Sequence, residues 1–278
     1  MSDPIKLEAP VLEKISSGSR PRVLAISNQK GGVGKTTTAV NLATAMAAIK
    51  KRVLVIDLDP QGNASTSLGI DQKHREIGTY NLLMGDAVLS EAVVPTSVPG
   101  LSVVPSGVEL AGAELELIEV ENRQECLKKA ITDKGGDWDF ILIDCPPSLG
   151  LLTLNALVAA DAVMVPLQAE FLALEGISHL VRTIERVKKS FNPTLEIQGI
   201  VLTMVDKRNN LSEMVESDVR EFFGGKVYTT TIPRNVRISE APSHGKPVLL
   251  YDFNSKGARA YLDLAGEVLK REQGAAAA

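Results

Sequence analysis

A chain of 278 residues, 44% of them apolar, with a formal net charge of −4 and two cysteines, has material for one large α/β core or two small ones. The acidic balance excludes a global positive field, so any contact with nucleic acid or anionic lipid must rest on a local basic patch. Cys126 and Cys145 are too few for a disulfide framework or a zinc site, and no apolar run approaches the roughly 20 residues of a membrane span. With no signal-peptide pattern either, a reducing, cytoplasmic setting is expected.

Residues 1–20 are mixed polar and lack periodicity, which predicts a flexible extension. From there apolar, β-branched runs alternate with helical segments. Strands are predicted at Val23–Ile26, Val53–Ile56, Leu101–Val104, Phe140–Ile143, Ala162–Val165, Ile197–Met204 and Val227–Ile232. Most of these runs are continuous rather than alternating, the pattern of strands covered on both faces. Helical pattern is clearest at Thr36–Ile49, Leu110–Val120, Leu174–Ser190, Leu211–Phe223 and Ala258–Lys270. In the fourth, Ser212 followed by Glu213 and Glu216 places acids in the first turn. The alternation predicts a single α/β domain over 21–272, a mainly parallel twisted sheet with helices on both faces. Residues 273–278 read as a low-complexity, disordered tail.

Three strings carry chemistry. Ser27 to Thr38, S-N-Q-K-G-G-V-G-K-T-T-T, stands between a strand and a helix, the context of a phosphate-binding loop. Gly31, Gly32 and Gly34 let backbone N–H groups, including those of Val33 and Thr37, close on phosphate oxygens at a helix N-terminus. Lys35 would reach the β- and γ-phosphates and the Thr36 hydroxyl would ligate Mg²⁺. Gln29 replaces the first Gly of the strict pattern, and Lys30 adds a cation at the loop mouth that, taken alone, reads as a surface lysine. In the second string, V-I-D-L-D-P-Q-G, Asp57 and Asp59 follow an apolar strand; taken alone, D-L-D-P equally well just ends a strand. In the third, F-I-L-I-D-C-P-P, a buried strand presents Asp144 to Mg²⁺, while Cys145 reads as a small packing residue. His74, His179 and His244 stand in unrelated contexts and form no catalytic constellation.

The string K-G-G-V-G-K-T-T resembles the deviant Walker A motif of the ParA/MinD ATPase superfamily. V-L-T-M-V-D-K-R-N, I-P-R-N-V-R-I-S-E-A-P-S-H-G-K-P, C-P-P-S-L-G-L-L-T and E-F-L-A-L-E-G narrow the resemblance to ParA/Soj-type partition ATPases, from about Arg22 to Lys270. It implies a P-loop fold, ATP and Mg²⁺ as cofactors, and slow hydrolysis stimulated by a partner. Lys30 would cross a dimer interface to the other subunit's nucleotide and act with Lys35 on the developing charge. Asp59 would orient or deprotonate the attacking water, and Asp57 would lie near the Mg²⁺ shell. Asp206, Pro233 and Arg234 would lie close to the adenine. Arg208 and Arg237, with help from Lys207, would bind nonspecific double-stranded DNA in an ATP-bound homodimer on the nucleoid, until a ParB-type centromere-binding protein triggers hydrolysis.

Two rivals share the loop. A MinD-like membrane-associated ATPase needs a basic amphipathic C-terminal helix, whereas Ala258–Lys270 carries Asp263 and Glu267 and reads as a packed helix. A metabolic ligase or metal-delivery protein on this scaffold finds no Cys-based motif. About twenty residues before the first strand are also too few for an N-terminal helix-turn-helix domain.

Overall fold

The computed structural model describes residues 20–132, 137–170, 173–206 and 208–276. In the first half β1 (Arg22–Ile26) leads through a glycine-rich loop into α1 (Lys35–Ala48) and β2 (Val53–Asp57). The short helices α2 (Asn63–Ser67), α3 (Thr79–Met84) and α4 (Leu89–Ala92) follow, then β3 (Val94–Pro95) and β4 (Leu101–Val104). Next come α5 (Leu110–Glu116), α6 (Cys126–Thr132), β5 (Phe140–Asp144), α7 (Leu151–Ala159), β6 (Ala162–Gln168), α8 (Ala173–Ser190) and β7 (Glu196–Thr203). The chain closes with α9 (Asn210–Phe223), α10 (Val236–Glu240), α11 (Val248–Tyr251) and α12 (Lys256–Ala276).

The strands form one seven-stranded sheet in the order β3-β4-β2-β5-β1-β6-β7, parallel except for β3, which runs antiparallel to β4. Two apolar clusters cover its two faces, one built on α7 and α8 and the other on α1 and α12. β5 lies between β1 and β2, in register Ile26 to Asp144 and Asp57 to Asp144. The connections β1–β2–β4 run to one side of the sheet, while β5, β6 and β7 return to the other. The carboxyl ends of β1, β2 and β5 therefore meet where the winding reverses, the place where open α/β sheets bind ligands.

α1 is small-residue-rich and buried nearly all round, as expected of a helix held between the sheet and another helix. That other helix is α12, whose Ala258, Tyr261, Leu264, Ala265 and Val268 are buried in the same cluster. Its apolar face is used in the core. It runs six residues past the predicted end at Lys270, into the stretch set aside as a tail.

Six predicted strands stand within a few residues of their bounds. The seventh, Val227–Ile232, is not a strand and touches β7 only at its ends, where Tyr228 N donates to Ile200 O and Ile232 N to Leu202 O. Between them the Thr229 and Thr230 amides turn away to the Glu267 carboxylate on α12 (2.8 and 2.9 Å). A side-chain acceptor thus replaces the ladder in the middle of the run. α9 starts one residue before the predicted Leu211: Asn209 caps it, accepting from Leu211 N at 3.0 Å, and Glu213 stands in the first turn as expected.

Candidate active site

The loop after β1 is fixed from three sides. Gly32 and Gly34 adopt left-handed backbone angles (φ 75° and 89°) that a side chain would strain. Asn28 is buried: its Nδ2 donates to Pro166 O (2.8 Å), while its Oδ1 accepts from Lys30 N (3.0 Å). From the end of β7, the Thr203 hydroxyl donates to Val33 O at 2.8 Å. Lys35 is 7% exposed and its Nζ donates to Lys30 O at 3.0 Å. Burial pushes its pKa down, against the opposing pull of Asp144, Cys145 and Asp59.

The three predicted carboxylates do not share one environment. Both Asp57 oxygens are engaged by the chain: Oδ2 accepts from Ser65 N (2.8 Å) and Ser65 Oγ (2.7 Å), and Oδ1 from Asp59 N (3.3 Å). Burial still raises Asp57 to about 6. It shapes the turn that presents Asp59, which is nearly buried and accepts from Gln61 N at 3.0 Å. Asp144 is wholly buried, and neither of its oxygens has a well-formed hydrogen bond among the described residues. Burial first, then the Asp57 charge, raises its pKa well above the carboxylate range; the Thr36 hydroxyl and Lys35 pull the other way. A buried carboxylate without partners is costly, and a cation at this point would satisfy it.

Two cavities open here. One of about 350 Å³ is lined by Gly31, Gly32, Lys35, Thr36 and Asp59, with Gln61, Asn63 and Pro147. A Cβ on Gly31 or Gly32 would meet nothing within 4 Å, so the loop's backbone faces open space. The second, about 240 Å³, is lined by Ile232, Pro233, Arg234, Asn235, Ile238, Pro242 and Tyr261. Gly34, Thr37 and Met204 border both. A lysine-bearing basin joined through Gly34, Thr37 and Met204 to a second pocket that holds Pro233, Ile238 and Tyr261 offers room for the two ends of a nucleotide. A Mg²⁺ ion bound there would find oxygen donors in Thr36 and Asp144, whose side chains interact. Among the described residues no three His, Cys, Asp or Glu side chains form a metal cage, and Mg²⁺ bound through substrate phosphates needs none.

The predicted residues are thus partly brought together. Lys35, Thr36, Asp59 and the glycines line the phosphate basin, and Pro233 and Arg234 line the second pocket. Lys30, Val33, Asp57, Asp144 and Asp206 line neither, Asp144 lying wholly buried beneath the basin. Asp206 is held instead by Arg208, through Nε and Nη2 (both 2.9 Å) and the backbone N (3.1 Å), which draws its pKa down to about 2. Lys30 forms an ion pair with Glu170 of its own subunit. Lys207 lies outside the described residues. Thr203, Met204, Ile238 and Tyr261 were not anticipated. The first two stand inside the V-L-T-M-V-D string, whereas Tyr261, on a helix near the far end of the chain, leaves no local signal.

The AAA domain family model matches residues 21–197. Chromosome partitioning protein ParA of Caulobacter vibrioides is 59% identical over 254 residues, covering 91% of this chain and 95% of that protein. The chain belongs to the ParA/Soj family of chromosome-partitioning P-loop ATPases. Sporulation initiation inhibitor protein Soj of Bacillus subtilis is 53% identical over 247 residues, 89% of this chain and 98% of that one. Among solved structures, cobyrinic acid a,c-diamide synthase of Mycobacterium smegmatis with bound ADP and magnesium has a TM-score of 0.80 at 40% identity, over 91% of this chain and 96% of that chain. The ParA and Soj relatives, at 59% and 53% identity, share more sequence with this chain than that synthase does at 40%. No described helix is long and apolar enough to cross a membrane.

Proposed function

We propose that this chain is a ParA/Soj ATPase in which bound ATP joins two subunits, the dimer binds DNA without reading sequence, and hydrolysis stimulated by a ParB-type partner lets go. The observation that carries the catalytic half is Asp144, wholly buried and without a well-formed hydrogen bond among the described residues, whose charge Thr36 and Lys35 favour beneath an open glycine loop. ATP and Mg²⁺ are the cofactors. The metal supplies charge neutralisation on the phosphates. Lys35 and the loop amides hold the β- and γ-phosphates, Thr36 and Asp144 hold the cation, and Asp59, lining the same basin, accepts the proton of the attacking water. Lys30 is half-exposed at the loop mouth and can exchange Glu170 for a phosphate of the facing subunit.

For the DNA half, Arg208 and Arg237 are exposed: Arg208 stands in the loop after β7, and Arg237 on α10, whose Ile238 and Ser239 line the second pocket. Presented twice by a dimer, they position it on phosphates. The burial of the apolar face of α12 against α1 counts against a membrane-anchoring role. Light scattering with ATP and Mg²⁺ tests the switch: wild type should double in mass, while Lys30→Ala and Lys35→Ala stay single. Wild type that stays single with ATP, or Lys35→Ala that behaves like wild type, would contradict it.

A further inference from the structure

Arg237, on α10, does not face solvent as a free cation. Its Nη1 donates to Glu240 Oε2 at 2.9 Å, and its Nε lies 3.3 Å from Asp252 Oδ2. Glu240 is itself positioned, because the same Oε2 accepts from the Tyr251 hydroxyl at 3.2 Å. Tyr251 is in turn stacked on His244, with ring centroids 4.9 Å apart. Two carboxylates from different elements, one oriented by a tyrosine, thus occupy two edges of one guanidinium. That is the planar fork a phosphate would engage. The arginine is half-exposed and its partners are partly exposed, so the contact is open to exchange.

We propose that Glu240 and Asp252 are affinity-setting residues: they stand in for a phosphate on Arg237 and must be displaced when DNA binds. The inference rests on the DNA-binding reading above. The acids weaken binding by competing for one side chain, so the number of phosphates neutralised, and with it the salt slope, stays the same. A chain of net charge −4 that releases DNA gains from such a competitor, since the bound state is held only as long as the dimer presents both arginine sets.

The test is binding to a random-sequence duplex, with ATP and Mg²⁺, over a salt series. Glu240→Gln/Asp252→Asn is compared with wild type, and the same pair of changes is made in an Arg237→Ala background. Melting temperatures of all four proteins report folding. The acids removed, affinity should rise about fivefold at every salt concentration with an unchanged slope, the size expected for freeing two partly exposed ion pairs. In the Arg237→Ala background the gain should vanish. An equal gain in that background would mean a general change of surface charge and would overturn the inference, as would no gain at all. In either case wild type still binds, and the DNA-binding reading stands. Wild type that binds no duplex under any nucleotide would overturn both.

Discussion

The floor of the site and its rim hold charge in opposite ways. On the floor, Lys35 and Asp144 are buried, and Asp144 has no well-formed partner among the described residues. On the rim, Lys30, Arg208 and Arg237 are half-exposed or more and each is paired with a nearby acid: Glu170, Asp206, and Glu240 with Asp252. Unpaired buried charge is expensive, whereas exposed ion pairs are worth about 0–1 kcal/mol. The floor is therefore built to be completed by a ligand, and the rim to trade one partner for another at little cost. Binding strength belongs to the first region and reversibility to the second.

The largest effect that can break this contrast is at Lys35. Lys35→Ala should weaken ATP binding about a hundredfold, the scale of losing a buried charged donor to phosphate, as read by calorimetric titration. A loss of only a few-fold would put Lys35 on the same footing as the rim. Asp144→Asn comes next. In the absence of nucleotide it should stabilise the protein by about 2 kcal/mol, because Asn fills the fully buried position without the proton uptake that folding imposes on Asp144, while Mg²⁺-dependent hydrolysis is lost. The sign with pH is fixed. Raised carboxyl pKa values mean these groups bind more protons in the folded state than in the unfolded one, so the contribution of Asp57 and Asp144 to stability is fully present at low pH and is lost as pH rises through the folded values, about 6 for Asp57. The advantage of Asp144→Asn over wild type should thus shrink as pH is lowered from 7 to 4 in chemical unfolding curves, and an advantage that grew instead would contradict the raised pKa.

A smaller effect sharpens the comparison. Thr203→Val removes one hydrogen bond to Val33 O and should weaken ATP binding about fivefold, with little change in melting temperature. The smallest effect is on the rim: Glu170→Gln should shift the unfolding free energy by less than about 1 kcal/mol, since its ion pair with Lys30 is partly exposed.

The floor was legible in the sequence because each part is local. A glycine string, a D-x-D-P turn and a strand ending in Asp144 each carry their chemistry within a dozen residues, and the parallel topology brings the strand ends together. The second pocket was legible only in part. Pro233, Arg234 and Ile238 stand in one family string and Met204 in another, but Tyr261 reaches the pocket through the packing of α12 on α1, which no local pattern records. Val227–Ile232 failed as a strand for a related reason: the residue that captures its amides, Glu267, lies some forty positions away. The acids on Arg208 and Arg237 were in plain sight, but whether neighbouring charges pair or point apart depends on turns that composition does not fix.

The central claim is that nucleotide at the floor decides whether the rim holds DNA. It is tested most directly by binding to nonspecific duplex DNA with ATP, ADP or no nucleotide, over a salt series, for wild type and Arg237→Glu. The account predicts binding that requires ATP, weakens steeply with salt and disappears in Arg237→Glu. Binding that ignores the nucleotide, or that survives the charge reversal, would contradict it.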